Sequence, residues 1–216
     1  MKKILLPVLW IFILFFAYKL FYSIYDPIQF NNVKVTRYAD VISNLKDIGK
    51  AQVAHKAVKG YYAQDFKSLV KFIDTAEYVI VEKRDSSYLE YDRIYRIDML
   101  REVQIVDTLG YVSVKDSLFG QSDHYITMMK VPVKGIDTSF VMKADVIEKN
   151  NYPVAVFEVS VSKDLVLHDQ DSYLLGQEKA TISVDGVNGP DIVLGSLTEV
   201  STNGNWPTIY DARTQD

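Results

Sequence analysis

The side chains best suited to chemistry in this sequence of 216 residues are carboxylates and carboxamides in two late segments. Asp169 and Asp171 are close together, and Asp185, Asn188 and Asp191 follow in a stretch that contains Gly and Pro. Such oxygen donors suit Ca²⁺, but neither EF-hand spacing nor a position-12 glutamate is present. Because Asp, Asn and Gly also accept turn geometry, we interpret both segments as turns. We predict no metal site and retain Asp185, Asn188 and Asp191 as weak candidates.

Histidine and serine are too dispersed to predict a catalytic set. The three histidines are His55, His124 and His168, without a HExxH motif, and the chain has no cysteine, which excludes thiolate metal sites and disulfides. Ser122 and His124 flank Asp123, but adjacent members of a triad rarely face one another, and no nucleophile-elbow glycine follows. We expect a polar turn there and a packed His55. We predict no enzyme activity and no cofactor.

The composition favours one packed domain with an acidic balance. A hydrophobic content of 48% is too high for a disordered chain. The first 25 residues contain three lysines and no acid, so residues 26–216 hold 21 basic and 28 acidic groups, a balance of −7. This acidic balance excludes nucleic acid as the expected partner.

Residues 4–24 form an apolar run whose only charge is Lys19, and as a helix it would extend ~31 Å, the thickness of a hydrocarbon core. We predict a transmembrane anchor at residues 1–25, with the lipid bilayer as its partner. The residues that we place at the membrane interfaces are Lys2, Lys3, Tyr18, Lys19, Tyr22 and Tyr25.

A cleaved signal peptide is the alternative interpretation of this segment. Signal peptidase requires small residues at positions −3 and −1, and the residues after Ala17 do not supply them. We therefore expect an uncleaved anchor in the inner membrane. Two lysines precede the span, but Lys34 and Arg37 follow it within 15 residues, so the charge asymmetry is weak. Together with a short N-terminal tail, the two lysines favour a single pass with residues 26–216 outside the cytoplasm, on the periplasmic side.

The elements after the anchor change their periodicity along the chain. We expect Pro27 to break or kink the helix, and a stalk helix within residues 26–60 whose apolar stripe includes Val41, Ile42 and Leu45 and which Gly60 ends. A second helix, residues 65–74, is predicted to be capped by Asp65.

Strand patterns then follow to the end of the chain. The predicted strands are residues 78–81, 103–106, 111–114, 125–133, 140–147, 154–161, 180–184 and 192–200, with residues 93–100 ambiguous. No helical period is visible beyond Gly120, and the short turns between strands favour an antiparallel sheet. We therefore predict an α+β fold: an N-terminal transmembrane helix, an amphipathic stalk helix and a mainly antiparallel β ectodomain at residues 61–207, with a loose tail at residues 208–216.

The stalk carries a resemblance to a known family. Residues 42–62 (ISNLKDIGKAQVAHKAVKGYY) and 65–70 (DFKSLV) resemble the helix and first loop of type IV pilins and type II secretion pseudopilins. Those proteins join a membrane helix to a stalk with an Ala-Gln pair, a Gly-x-Tyr exit and an antiparallel sheet. The run is also similar to uncharacterised single-anchor membrane proteins of bacteria and their phages, which share the later Asp107-Thr108 and Asp116-Ser117-Leu118-Phe119 patterns.

This resemblance covers residues 4–73 and implies a pilin-like shape rather than a standard pilin. The prepilin peptidase motif is missing before the span, and the span has no glutamate. We expect a structural or assembly component of the cell envelope that presents its sheet domain to a protein partner, or that forms a homo-oligomer through the stalk. The alternative is an anchored binding module for a small ligand, a glycan or calcium, since some pseudopilins bind calcium in a late loop.

Tyrosine is abundant in this sequence, and Tyr88, Tyr91 and Tyr95 lie close together. Aromatic surfaces suit contacts with proteins or glycans, but tyrosine is also common in strands. Both interpretations remain open from the sequence.

Overall fold

The computed structural model describes residues 2–212, and the side chains of residues 9–210. The first element is one long helix, α1 (Lys2–Lys59), of 58 residues, or ~87 Å. Residues 9–29 are exposed, and burial begins at Phe30. The predicted stripe is confirmed because Val41, Ile42 and Leu45 are fully buried. Gly60 ends the helix at φ +86°, and its N–H donates to the Lys56 carbonyl.

The predicted break at Pro27 is wrong, since α1 continues through this residue. Proline has no N–H and lacks the helical bond to the carbonyl four residues earlier, that of Ser23. Its fixed φ of about −65° is nevertheless a helical value. The turns on either side keep their own hydrogen bonds, so the domain remains joined to the N-terminal segment by continuous helix.

Helix α2 (Phe66–Thr75) confirms the prediction for residues 65–74 with a shift of one residue. Asp65 is its N-cap, and the carboxylate accepts from the Ser68 N–H at 2.7 Å. Leu69, Phe72 and Ile73 are buried on one face. This face packs against the end of α1.

A long hairpin follows α2. Strand β1 (Glu77–Asp92) pairs antiparallel with β2 (Ile97–Ser113), so the predicted strands at 78–81, 103–106 and 111–114 belong to two strands of 16 and 17 residues. The ambiguous residues 93–100 resolve into a turn at 93–96 and the start of β2. Leu109 has no partner in β1, which marks a bulge. Val114 begins helix α3 (Val114–Phe119) instead of ending a strand.

The second sheet has three strands in the order β3 (Val141–Lys149), β4 (Tyr152–Ser162) and β5 (Asp191–Gly195), all antiparallel. The predicted strands at 140–147 and 154–161 are confirmed, and that at 192–200 is confirmed for its first residues. The α+β class and the antiparallel pairing are therefore confirmed, although the strands form two sheets.

Two predicted strands and one predicted absence are wrong. Residues 125–133 contain helix α4 (His124–Thr127), and residues 180–184 form no strand, with Ile182 and Val184 exposed. Three further short helices lie beyond Gly120: α5 (Lys163–Val166), α6 (Ser172–Lys179) and α7 (Ile209–Ala212). Helices of four to eight residues are too short to show a period in the sequence.

The core lies between α1 and the second sheet. Leu194 of β5 contacts α1 so closely that a Cβ on Gly49 would lie 2.9 Å from it. Phe157 of β4 is fully buried, and its ring centroid is 4.6 Å from that of Tyr62. Tyr210, in the segment predicted as a loose tail, is also buried, 6.4 Å from the Tyr38 ring. The domain thus closes around the C-terminal half of α1.

Candidate functional site

The N-terminal half of α1 is long and apolar enough to cross a membrane. Within the described residues it is the one such helix, with a window of mean hydropathy 1.4 that no other part of the structure covers. Tyr18, Tyr22 and Tyr25 are exposed near the end of the apolar run, and the rings of Tyr18 and Tyr22 are 4.5 Å apart. Lys19 lies beside the Phe15 ring at 6.0 Å. The side chains of Lys2 and Lys3, also predicted at an interface, lie outside the described residues.

The three weak metal candidates have other roles or neighbours. The Asn188 side-chain oxygen accepts from the Ser183 N–H at 2.8 Å, so it stabilises its own turn. Asp185 lines a small cavity of about 230 Å³, and the Asp191 carbonyl accepts from the Asn205 amide. Among the side chains of residues 9–210, no group of three His, Cys, Asp or Glu converges as a metal site would require.

The histidines with described contacts are bound to neighbouring structure. His55 is buried between the rings of Tyr61 and Phe72, and its Nδ1 is 2.7 Å from the Tyr61 carbonyl, which confirms the packed histidine. His124 Nε2 lies 3.1 Å from the Asn44 side-chain oxygen on α1. The Ser122 hydroxyl accepts from the His124 backbone N–H, so this contact is part of the turn.

A buried ionic cluster joins the C-terminal segment to α1. The Lys163 ammonium is fully buried and donates to the Val187 carbonyl at 2.7 Å and to the Glu178 carbonyl and carboxylate at 2.9 and 3.3 Å. Glu178 also accepts from Lys34 at 3.0 Å and from the Tyr38 hydroxyl at 3.3 Å. Every donor and acceptor in this cluster is therefore matched.

Burial changes the proton affinity of this cluster. Loss of water lowers the pKa of Lys163, and the nearby Glu178 carboxylate opposes that shift. Burial also raises the pKa of Tyr38, helped by the negative charge of Glu178. The cluster links residues more than 100 positions apart, and the sequence contains no periodic or motif signal that would pair them.

A second ionic contact, nearer the surface, joins α1 to the same C-terminal segment. The Arg37 guanidinium donates to both carboxylate oxygens of Asp169 at 2.6 and 2.8 Å, and to the Val166 carbonyl at 2.9 Å. The hydrogen bonds from Arg37 lower the pKa of Asp169 well below its usual range. Asp169, which the sequence suggests as a cation ligand, is thus engaged by an arginine of α1.

The largest exposed feature of the domain is the ribbon, which we define as β1, β2 and the turn at residues 93–96. It joins the body at its base, where the Val114 N–H donates to the Ala76 carbonyl and the ribbon contacts α2 and α3. At its tip Ile94 is 85% exposed. Tyr88, Tyr91 and Tyr95, noted in the sequence, are all exposed here.

The exposed apolar residues of the ribbon occupy both of its faces. They include Val79, Ile80, Val81 and Leu89 on β1 and Met99, Leu100, Val103, Ile105, Val106 and Tyr111 on β2. A two-stranded hairpin without further packing is marginally stable in water, and exposed apolar surface of this kind makes the ribbon a candidate interaction site. The sequence predicted only residues 78–81, 103–106 and 111–113 of the ribbon as strand, and it did not show that both faces would be exposed.

A groove of about 810 Å³ lies between α1 and the loop before α7. Its lining includes Val53, Phe157, Leu194 and Trp206, with Lys46 and Lys50 from α1. Such a volume is in the range of small-molecule sites. The geometry alone does not specify an occupant.

Comparisons with protein families, with curated proteins and with solved structures found no match. The fold and surface define the class of protein at a coarse level. This is an α+β protein with antiparallel sheets and a long N-terminal apolar helix that is compatible with a single-pass membrane anchor.

Proposed function

We propose that this chain is a single-pass, membrane-anchored structural or assembly component of the cell envelope that presents its β-rich domain to a protein partner. The observation that carries the proposal is the continuity of α1. One helix runs from an apolar, exposed N-terminal half into the core of the domain, without a flexible linker between them. A rigid connection of this kind holds a domain at a set distance from a bilayer.

The orientation follows from charge. Lys2 and Lys3 precede the span, and basic residues beside a span favour the cytoplasmic side. The domain then lies outside the cytoplasm at the inner membrane of a bacterium, and the chain has a pilin-like shape in which an apolar helix continues into a globular head. That shape suits a scaffold, because the head is held without any contribution from a partner.

The surface that the domain presents is the ribbon. The stalk residues Val41 and Leu45 are buried by the chain's own domain, which leaves only the other faces of the stalk for a partner. The ribbon, in contrast, exposes apolar side chains along two strands and contacts the body only near its base. Exposed apolar surface of this extent is costly unless a partner covers it.

Membrane fractionation of the full chain with a C-terminal tag tests the anchor. We expect the tag in the carbonate-resistant membrane fraction and its digestion by protease added to the periplasmic side. Leu14→Lys, at the centre of the apolar run, should lower the membrane fraction because a central lysine costs ~2.5–3.5 kcal/mol. Ile28→Lys, beyond the run, is the matched control and should leave it unchanged.

Two results would contradict the proposal. A soluble product shortened at its N-terminus would identify residues 4–24 as a signal peptide. A membrane-bound chain whose tag resists protease until the bilayer is opened would place the domain in the cytoplasm.

A further inference from the structure

The ribbon has one unpaired edge that is suited to pairing with another strand. In its two-stranded sheet, β1 and β2 pair only with each other, so each has a free outer edge. The edge of β2 is disturbed by the bulge at Leu109 and by Gly110. Strand β1 has neither glycine nor proline, its register is interrupted only by that bulge, and nearly all its residues are exposed. Regular, exposed edges of this kind accept a further strand.

We propose that the occupant of this edge is a second copy of the same chain, whose β1 pairs antiparallel with β1 and forms a four-stranded sheet across a two-fold axis. The proposal deepens the proposed function, on which it rests, by naming the partner. Most soluble homo-oligomers are closed by two-fold axes. An axis normal to the sheet makes the two β1 strands antiparallel and keeps each side chain on its own face.

One register matches the side chains across this seam. Centred on Arg84, it places Lys83 opposite Asp85, Val79 opposite Leu89 and Ile80 opposite Tyr88, and each of these contacts occurs twice. Opposite charges and aromatic or apolar pairs directly across an antiparallel ladder are the stabilising combinations. The two Arg84 side chains meet at the axis, but each is paired within its own chain with Asp107 and lies 3.9 Å from a Glu82 oxygen.

The neighbouring registers that keep the faces matched are worse. A shift in one direction places Lys83 opposite itself and Val79 opposite Ser87. A shift in the other direction places Asp85 opposite itself and Ile80 opposite Glu90. Each of the three registers places one like-charged pair at its axis. The register centred on Arg84 is favoured because each Arg84 is already paired within its own chain, and because this register adds two Lys83–Asp85 contacts.

The seam is long enough for a specific interface. Pairing of residues 77–91 of both copies extends over ~48 Å at ~3.4 Å per residue. An antiparallel ladder of this length forms about 14 backbone hydrogen bonds, roughly one for each paired residue. A typical protein interface has about ten. The proposed seam therefore matches a typical interface in its number of hydrogen bonds.

Cysteine substitution in the full-length chain tests the register directly, because the natural sequence has no cysteine. In membranes treated with copper phenanthroline, Arg84→Cys should form a disulfide-linked dimer, since residues facing one another in a ladder have Cα atoms ~4.5–5.5 Å apart, within disulfide range. Ile105→Cys is the matched control. Ile105 faces Arg84 within the ribbon, but its copy would be three strand spacings away, about 14 Å, and should remain monomeric.

A charge reversal tests the seam by a second measurement. In the Arg84→Cys background, Lys83→Asp sets two like charges opposite each other and should slow disulfide formation at least threefold. Adding Asp85→Lys restores opposite charges and should restore the rate. Unchanged protease fragments would show that each variant folds.

The opposite results would overturn the inference. Equal crosslinking of Arg84→Cys and Ile105→Cys would indicate random collision, and a monomeric Arg84→Cys would exclude the proposed seam. Crosslinking to a different protein would name another occupant. The same membranes report anchoring and tag accessibility, so a monomer that is anchored and outside the cytoplasm counts against self-pairing alone, whereas a soluble chain counts against the proposed function.

Discussion

Lys163 carries its ammonium group into the interior of the domain, where an unpaired charge would be prohibitively costly. Two carbonyls and the Glu178 carboxylate surround it, and Lys34 and Tyr38 bind the same carboxylate from α1. The buried donors and acceptors are all satisfied only while every member is present. The cluster therefore joins α1 to the C-terminal segment.

Removing one member of the cluster should lower the free energy of unfolding. Lys163→Met leaves Glu178 buried with fewer donors, and we expect the free energy of unfolding to fall by ~3 kcal/mol. Lys179→Met is the matched control, because Lys179 pairs with Asp164 on the surface, and such pairs contribute at most ~1 kcal/mol. Urea unfolding of the full chain in detergent measures both. Equal losses for the two variants would show that the buried cluster has no special role.

Helix α1 has different surroundings along its length. The side chains of residues 9–29 are exposed, whereas from Phe30 onward the helix supplies a buried stripe to the core. The helix meets α2, α3, β5 and α7. The stripe has the 3.6-residue period of an amphipathic helix, and the N-terminal half is apolar on every side. The change in surroundings within one helix marks where the exposed apolar segment ends and the domain begins.

Shortening a buried side chain of the stalk should lower the stability more than shortening an exposed one. Leu45 is fully buried, so Leu45→Ala removes core contacts and leaves a cavity, and we expect a loss of ~2–5 kcal/mol in the free energy of unfolding. Val53→Ala, at a side chain that is 50% exposed, should change it by no more than about 0.5 kcal/mol. Thermal melting of the full chain in micelles measures the difference. A tolerant Leu45 would contradict the assignment of this stripe to the core.

The whole molecule consists of an apolar helix, a domain that encloses the stalk and a ribbon that projects from the domain. The body and the ribbon differ in burial, because the core residues lie in the body and the ribbon contributes only its base. Stability is not uniform across such a structure, since a region with few buried contacts opens at low cost. We therefore expect the body to fold without the ribbon.

Shortening the ribbon tests this division. Lys83 and Val106 face one another, so replacing residues 83–106 by Asn-Gly leaves Glu82 and Asp107 beside a two-residue hairpin turn. We expect the melting temperature to stay within about 2 °C, because the removed side chains are exposed and contribute little to stability. Light scattering in detergent should then show a monomer. A fall of more than about 8 °C would mean that the ribbon supports the core.

Features that depend on neighbours along the chain can be predicted from the sequence alone. The apolar run, the 3.6-residue stripe, the Asp65 cap and the Gly60 stop are local signals, and all correspond to observed helix features. Alternation likewise indicated β3, β4 and parts of the ribbon. It failed at residues 125–133, because side chains there are buried from a short helix and loops, and burial alone can imitate a strand period.

Which surfaces are covered is visible only in the tertiary structure. The Lys163 cluster joins residues far apart in the chain, and no local signal predicts such a contact. The weak candidates Asp185, Asn188 and Asp191 followed from spacing, whereas in three dimensions Asn188 serves its own turn. The ribbon shows the same limit, since alternation reports that side chains point to two faces. Whether either face is buried depends on which elements pack there, and that is a property of the whole fold.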